Sequence, residues 1–93
     1  MVTILLVEDD TTISSMLSAY LEREKYSVVI AQNGEEAMTL FAQHSPSLVI
    51  LDLNLPLRSG LEILPEMRET SQCPILVLSA RIGEDDRVAS LEL

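Results

Sequence analysis

The chain has 93 residues, 47% of them apolar, and carries fifteen Asp plus Glu against six Lys plus Arg for a formal net charge of −9. That length fits one small domain and excludes two, and the charge would repel phosphate backbones and anionic lipid, so direct nucleic-acid or membrane binding by this chain is not expected. The aliphatic runs are four or five residues long, far short of a membrane span.

The elements follow in order. Thr3–Val7 (TILLV) reads as a strand, and Ile13, Met16, Leu17, Tyr20 and Leu21 then recur at helical spacing, with Asp10 or Thr11 as the N-cap. The polar Glu8-Asp9-Asp10 directly after the first strand leaves no signal-peptide pattern. Tyr26–Ala31 (YSVVIA) reads as a second strand. Asn33-Gly34-Glu35-Glu36 supplies a turn, a cap and first-turn acids for a helix with Ala37, Leu40 and Phe41, which Pro46 ends. Leu48–Asp52 is the third strand and Gly60 to about Thr70 the third helix, which Pro65 should kink or shorten unless it lies in the first turn. Pro74–Ser79 (PILVLS) is the fourth strand, and a fourth helix is expected from Glu84 onward on the spacing of Val88 and Leu91.

A βα unit repeated four times, with unalternated aliphatic strands, implies an α/β domain: a parallel sheet with right-handed crossovers and helices on both faces. In such a sheet ligands bind beyond the carboxyl ends of the strands, where strand order reverses. Glu8, Asp9 and Asp10 follow strand one and Asp52 ends strand three, so if those strands are neighbours several carboxylates converge. Carboxylates that close repel one another unless a cation sits among them. Oxygen-only ligands favour a hard ion, and few protein ligands with several retained waters suit Mg²⁺ better than Ca²⁺. For each aspartate a structural role is also open, Asp9 or Asp10 as a helix cap and Asp52 as the start of a turn. A metal, an exposed carboxylate and a hydroxyl such as Ser79 at the end of a third strand can together perform phosphoryl chemistry.

VEDD at Val7 to Asp10, LDLNLP at Leu51 to Pro56 followed by Ser59-Gly60-Leu61-Glu62, PILVLSA at Pro74 to Ala80 and DRVASLEL at Asp86 to Leu93 resemble, in order along the whole chain, the receiver domain of bacterial two-component response regulators. The last of these motifs is most similar to regulators of the winged-helix transcription-factor subfamily. The resemblance implies a flavodoxin-like doubly wound sheet with strand order 2-1-3-4. It further implies Asp52 as phosphoacceptor, Glu8 and Asp9 in an acidic Mg²⁺ pocket, a backbone carbonyl of Asn54 as a further metal ligand, and Ser79 as the switch hydroxyl. A sensor histidine kinase is the implied partner, the cytoplasm the implied location, and a regulatory phosphoacceptor rather than an enzyme the implied role.

The pattern departs from the family after the fourth strand. A receiver continues to a fifth strand, a lysine followed by proline and a fifth helix, none of which this sequence contains, and Lys25, the only lysine, precedes strand two. Residues 1–93 thus read as a receiver truncated to four βα units, with no effector domain. The fourth strand is then expected to be an exposed sheet edge, prone to self-association. Two other classes stay open: a Mg²⁺-dependent aspartyl-phosphate phosphatase, against which Asn54 stands where that chemistry wants a general-acid aspartate, and a receiver-like binding or dimerisation module that never turns over phosphate. His44 near the end of helix two is favoured there by the helix dipole, and the lone Cys73 permits no internal disulfide.

Overall fold

The structure is a computed structural model that describes residues 2–53, 55, 59–80 and 87–92, with 79–80 and 87–92 described as backbone. The elements are β1 (Thr3–Val7), α1 (Thr11–Arg23), β2 (Ser27–Ala31), α2 (Gly34–His44), β3 (Leu48–Asp52), α3 (Gly60–Thr70), β4 (Ile75–Ala80) and β5 (Arg87–Glu92). They form one sheet of order β2-β1-β3-β4-β5. The first four strands are parallel, with Val7 in register with Ala31 on one side and Leu51 on the other, and Asp52 level with Leu78. This is the expected flavodoxin-like order, and it puts the reversal of strand order between β1 and β3.

Successive residues of a strand face opposite sides of the sheet, which divides the aliphatic runs between two cores. Leu5, Val7, Val49, Leu51, Ile75 and Val77 pack with Ala37 and Phe41 of α2 and Ile63 and Met67 of α3. Ile4, Leu6 and Ile50 face the other way, with Leu17 and Leu21 of α1 partly buried against them. Tyr20 and Met16, included in the apolar stripe of α1, are instead 59% and 65% exposed. On a helix of 3.6 residues per turn, Leu17 and Leu21 already fill the contact with the sheet, and Met16 and Tyr20 fall on its outer flank.

The caps fall where the polar side chains favour them. Asp10 Oδ1 accepts from the N–H groups of Thr12 (2.9 Å) and Ile13 (3.1 Å). Asn33 Oδ1 accepts from Glu36 N–H (2.8 Å) and Ser59 Oγ from Glu62 N–H (3.3 Å). Each satisfies a donor that the first turn of a helix leaves unpaired. The helix before Pro46 ends at His44, and Ser45 turns into the left-handed region at φ 44°. Pro65 neither ends nor shortens its helix: α3 runs continuously from Gly60 to Thr70 with the proline ring exposed.

The expected fourth helix is a correction. Residues 87–92 are a strand, antiparallel to β4, with Ala80 opposite Arg87, Leu78 opposite Ala89 and Ile75 opposite Glu92. The β4 edge expected to stand open is therefore paired along its whole length. Residues 84–86, where that helix was to begin, lie outside the described residues.

Candidate functional site

Three carboxylates meet at the carboxyl ends of β1 and β3. One oxygen from each of Glu8, Asp9 and Asp52 lies within 4.8 Å of the others. Glu8 and Asp52 are fully buried and Asp9 is exposed, so the cluster has a closed floor and one side open to solvent. The position of Glu8 follows from the sheet. Its N–H donates to Ala31 O at 2.9 Å, one step beyond the last β1–β2 pair, and its carboxylate accepts from Asp10 N–H at 3.2 Å. Asp52 is the last residue of β3, and the next N–H, of Leu53, donates to Leu78 O at 3.0 Å. Adjacent strands about 4.8 Å apart thus bring side chains 44 positions apart in sequence into one pocket.

Of the residues singled out from sequence, Glu8, Asp9 and Asp52 are brought together. Asp10 is not in the cluster, because its carboxylate caps α1; for this aspartate the structural role holds. Ser79 extends β4 one residue past Leu78, the partner of Asp52, and is described as backbone only. Asn54 lies outside the described residues. Lys25 sits in the turn before β2, at φ 70°, at the opposite end of the sheet from the cluster. Gly60 had no assigned role. It is buried at the first position of α3, its N–H donating to Leu53 O at 3.1 Å beside Asp52, and in the sequence it is marked only by its place in the family-like run Ser59-Gly60-Leu61-Glu62.

The donor set is three carboxylates, without thiolate or imidazole, and it suits a hard divalent cation such as Mg²⁺. Two buried carboxylates within 4.8 Å of each other repel, and a cation on the open side relieves that repulsion while leaving room for water or a phosphoryl oxygen. Among the described residues no helix is long and apolar enough to cross a membrane.

Acidic side chains gathered at the switch point of an open parallel sheet define an α/β domain whose binding site sits at the ends of its central strands. The chain belongs to the response regulator receiver domain family, which it matches over residues 4–93. It is 42% identical over 90 residues to the transcriptional regulatory protein CpxR of Klebsiella pneumoniae, covering 97% of this chain and 38% of that protein. It is 44% identical over 87 residues to the uncharacterized transcriptional regulatory protein YcbL of Bacillus subtilis, covering 94% of this chain and again 38% of the relative. The chain therefore spans less than half the length of these relatives. In structure it resembles the response regulator TrrA of Thermotoga maritima, solved in complex with Mg²⁺-BeF, with a TM-score of 0.81 and 39% identity over 87% of this chain and 71% of that one. These relatives agree with the resemblance of Asp86 to Leu93 to transcriptional regulators.

Proposed function

We propose that this receiver domain accepts a phosphoryl group on Asp52 from the phosphohistidine of a sensor histidine kinase, and passes the signal to an output function that is transcriptional in character. The observation that carries the proposal is the convergence of Glu8, Asp9 and Asp52 within 4.8 Å at the β1–β3 switch point. Glu8 and Asp9 would hold Mg²⁺ together with Asp52, and the backbone carbonyl of Asn54 is assigned to the same ion. When bound, the cation offsets the negative charge of the pocket and of the phosphoryl oxygens.

Asp52 is then the nucleophile. The P–N bond of the donor breaks, and a P–O bond forms to an Asp52 carboxylate oxygen. Burial of Asp52 on the closed floor keeps bulk water from the new acyl phosphate on all but the open side. Ser79, one residue past the partner of Asp52, is assigned as the hydroxyl that reads the modified state. The domain is regulatory, its own chemistry limited to phosphoryl acceptance and loss, and we place it in the cytoplasm with its kinase partner.

Incubation with acetyl phosphate and Mg²⁺, followed by intact-mass and peptide mass spectrometry, tests this. A single phosphoryl adduct on the peptide containing Asp52, absent without Mg²⁺, is expected. An adduct elsewhere, or none, refutes the assignment, and continuous release of phosphate without an adduct makes the chain a phosphatase instead.

A further inference from the structure

Gly60 is packed so tightly that a side chain has nowhere to go. A Cβ at this position would lie 2.7 Å from the Asp52 carbonyl oxygen, 2.8 Å from Leu53 Cα and 2.9 Å from Leu53 Cδ2. The two shortest of these contacts are to backbone, so they cannot be relieved by turning a rotamer. Nor is that backbone free to retreat. The peptide between Asp52 and Leu53 is tied to β4 through Leu53 N–H to Leu78 O at 3.0 Å, and Leu53 O accepts from Gly60 N–H at 3.1 Å. On the same buried face, α3 is anchored by Ile63 and Met67, both fully buried. Relief must come from a shift of α3 or of the end of β3, by about 0.7 Å or more to bring the shortest contact to ordinary van der Waals distance.

We propose that Gly60 is a positioning residue for Asp52: its missing side chain lets the start of α3 close onto the end of β3, and this closure sets where the Asp52 carboxylate stands relative to Glu8 and Asp9. The functional part rests on the reading of Asp52 as phosphoacceptor; the geometric part does not. A shift of that size is small against the domain, but it is of the order at which a reacting group falls out of productive geometry.

The test compares Gly60→Ala with Met67→Ala, which loosens the same helix from the core without touching Asp52. Both are measured in trimethylamine N-oxide, which favours the compact state, with folding checked by circular dichroism. In Gly60→Ala the Leu53 amide should exchange at least tenfold faster than in the parent without metal, Mg²⁺ affinity should fall at least tenfold, and labelling by acetyl phosphate should slow by a similar factor. Met67→Ala should stay within twofold on all three. The proposal is overturned if Gly60→Ala stays within twofold of the parent, if Met67→Ala loses as much, or if Gly60→Ala does not fold even with the osmolyte, since the Cβ would then act on the fold rather than on the site. Should the parent itself take no label, the proposed function fails, and Leu53 exchange in the metal-free proteins still decides the role of Gly60.

Discussion

Replacing Asp52 with asparagine should make the metal-free protein more stable, although it removes the residue on which the proposed chemistry depends. Asp52 and Glu8 are both fully buried, with carboxylate oxygens no more than 4.8 Å apart. At an effective dielectric constant of 20, two unit charges at that distance repel by about 3.5 kcal/mol. Water and counter-ions reach the cluster from the side of the exposed Asp9, so about half of that is expected to survive in low-salt buffer. A release of about 1.5 kcal/mol in a domain of this size raises Tm by about 10 °C. Thermal unfolding of Asp52→Asn and of the parent, each with and without Mg²⁺, gives the four numbers required. The parent should gain stability as Mg²⁺ is added, by about 2.7 kcal/mol when the ion is at a hundred times its Kd, and the variant should gain far less. A variant less stable than the parent without metal, or one that responds equally to Mg²⁺, would refute the view that the three carboxylates form one strained cation site.

Leu5→Ala, at a fully buried position of the larger core, should cost about 2–5 kcal/mol in urea unfolding, and Leu17→Ala, only partly buried against the sheet, distinctly less; equal losses would mean that the two faces are misassigned. Asp10→Ala should cost about 1 kcal/mol by removing the α1 cap and leave Mg²⁺ affinity within twofold, because the carboxylate serves Thr12 and Ile13 rather than the cluster; a large loss of affinity would return Asp10 to the site. Deletion of residues 87–93 should expose the β4 edge and produce concentration-dependent association in sedimentation velocity, and a monomer at all concentrations would show that β5 does not protect that edge.

Much of the site was legible because it is written at strand ends. A run such as Leu48–Leu51 declares a strand buried on both faces, and a carboxylate at its end must then be accounted for. What the run cannot say is which other strand lies beside it. Convergence of Asp52 with Glu8 and Asp9 depended on β1 and β3 being neighbours, and the register of Val7 with Leu51 is what supplies that. Local spacing also left three acids after β1 equivalent, whereas hydrogen bonding separates them: Asp10 turns to the helix and Glu8 to the pocket floor. Gly60 was illegible for a related reason, since a glycine beginning a helix looks the same whether its face is open or lies against the backbone of another element.

The segment Arg87–Glu92 shows where local patterning gives the wrong answer. Val88 and Leu91 are spaced as on a helix, and Ala, Leu and Glu favour one. A helix there would be held to the domain by that single apolar pair, and isolated helices shorter than about 12 residues are marginal in water. The competing state adds a strand to an edge that already exists. β4 has ordered its backbone against β3, so pairing residues 87–92 with Ile75–Ala80 forms a ladder for the entropy of fixing one segment rather than two. The gain lies entirely in contacts with β4, to which a window sliding along residues 84–93 is blind. Helical spacing and strand pairing are thus close competitors in this segment, and the edge it meets decides between them. The sheet consequently runs β2-β1-β3-β4-β5, with β3 and its Asp52 at the centre of five strands rather than one strand in from an open edge.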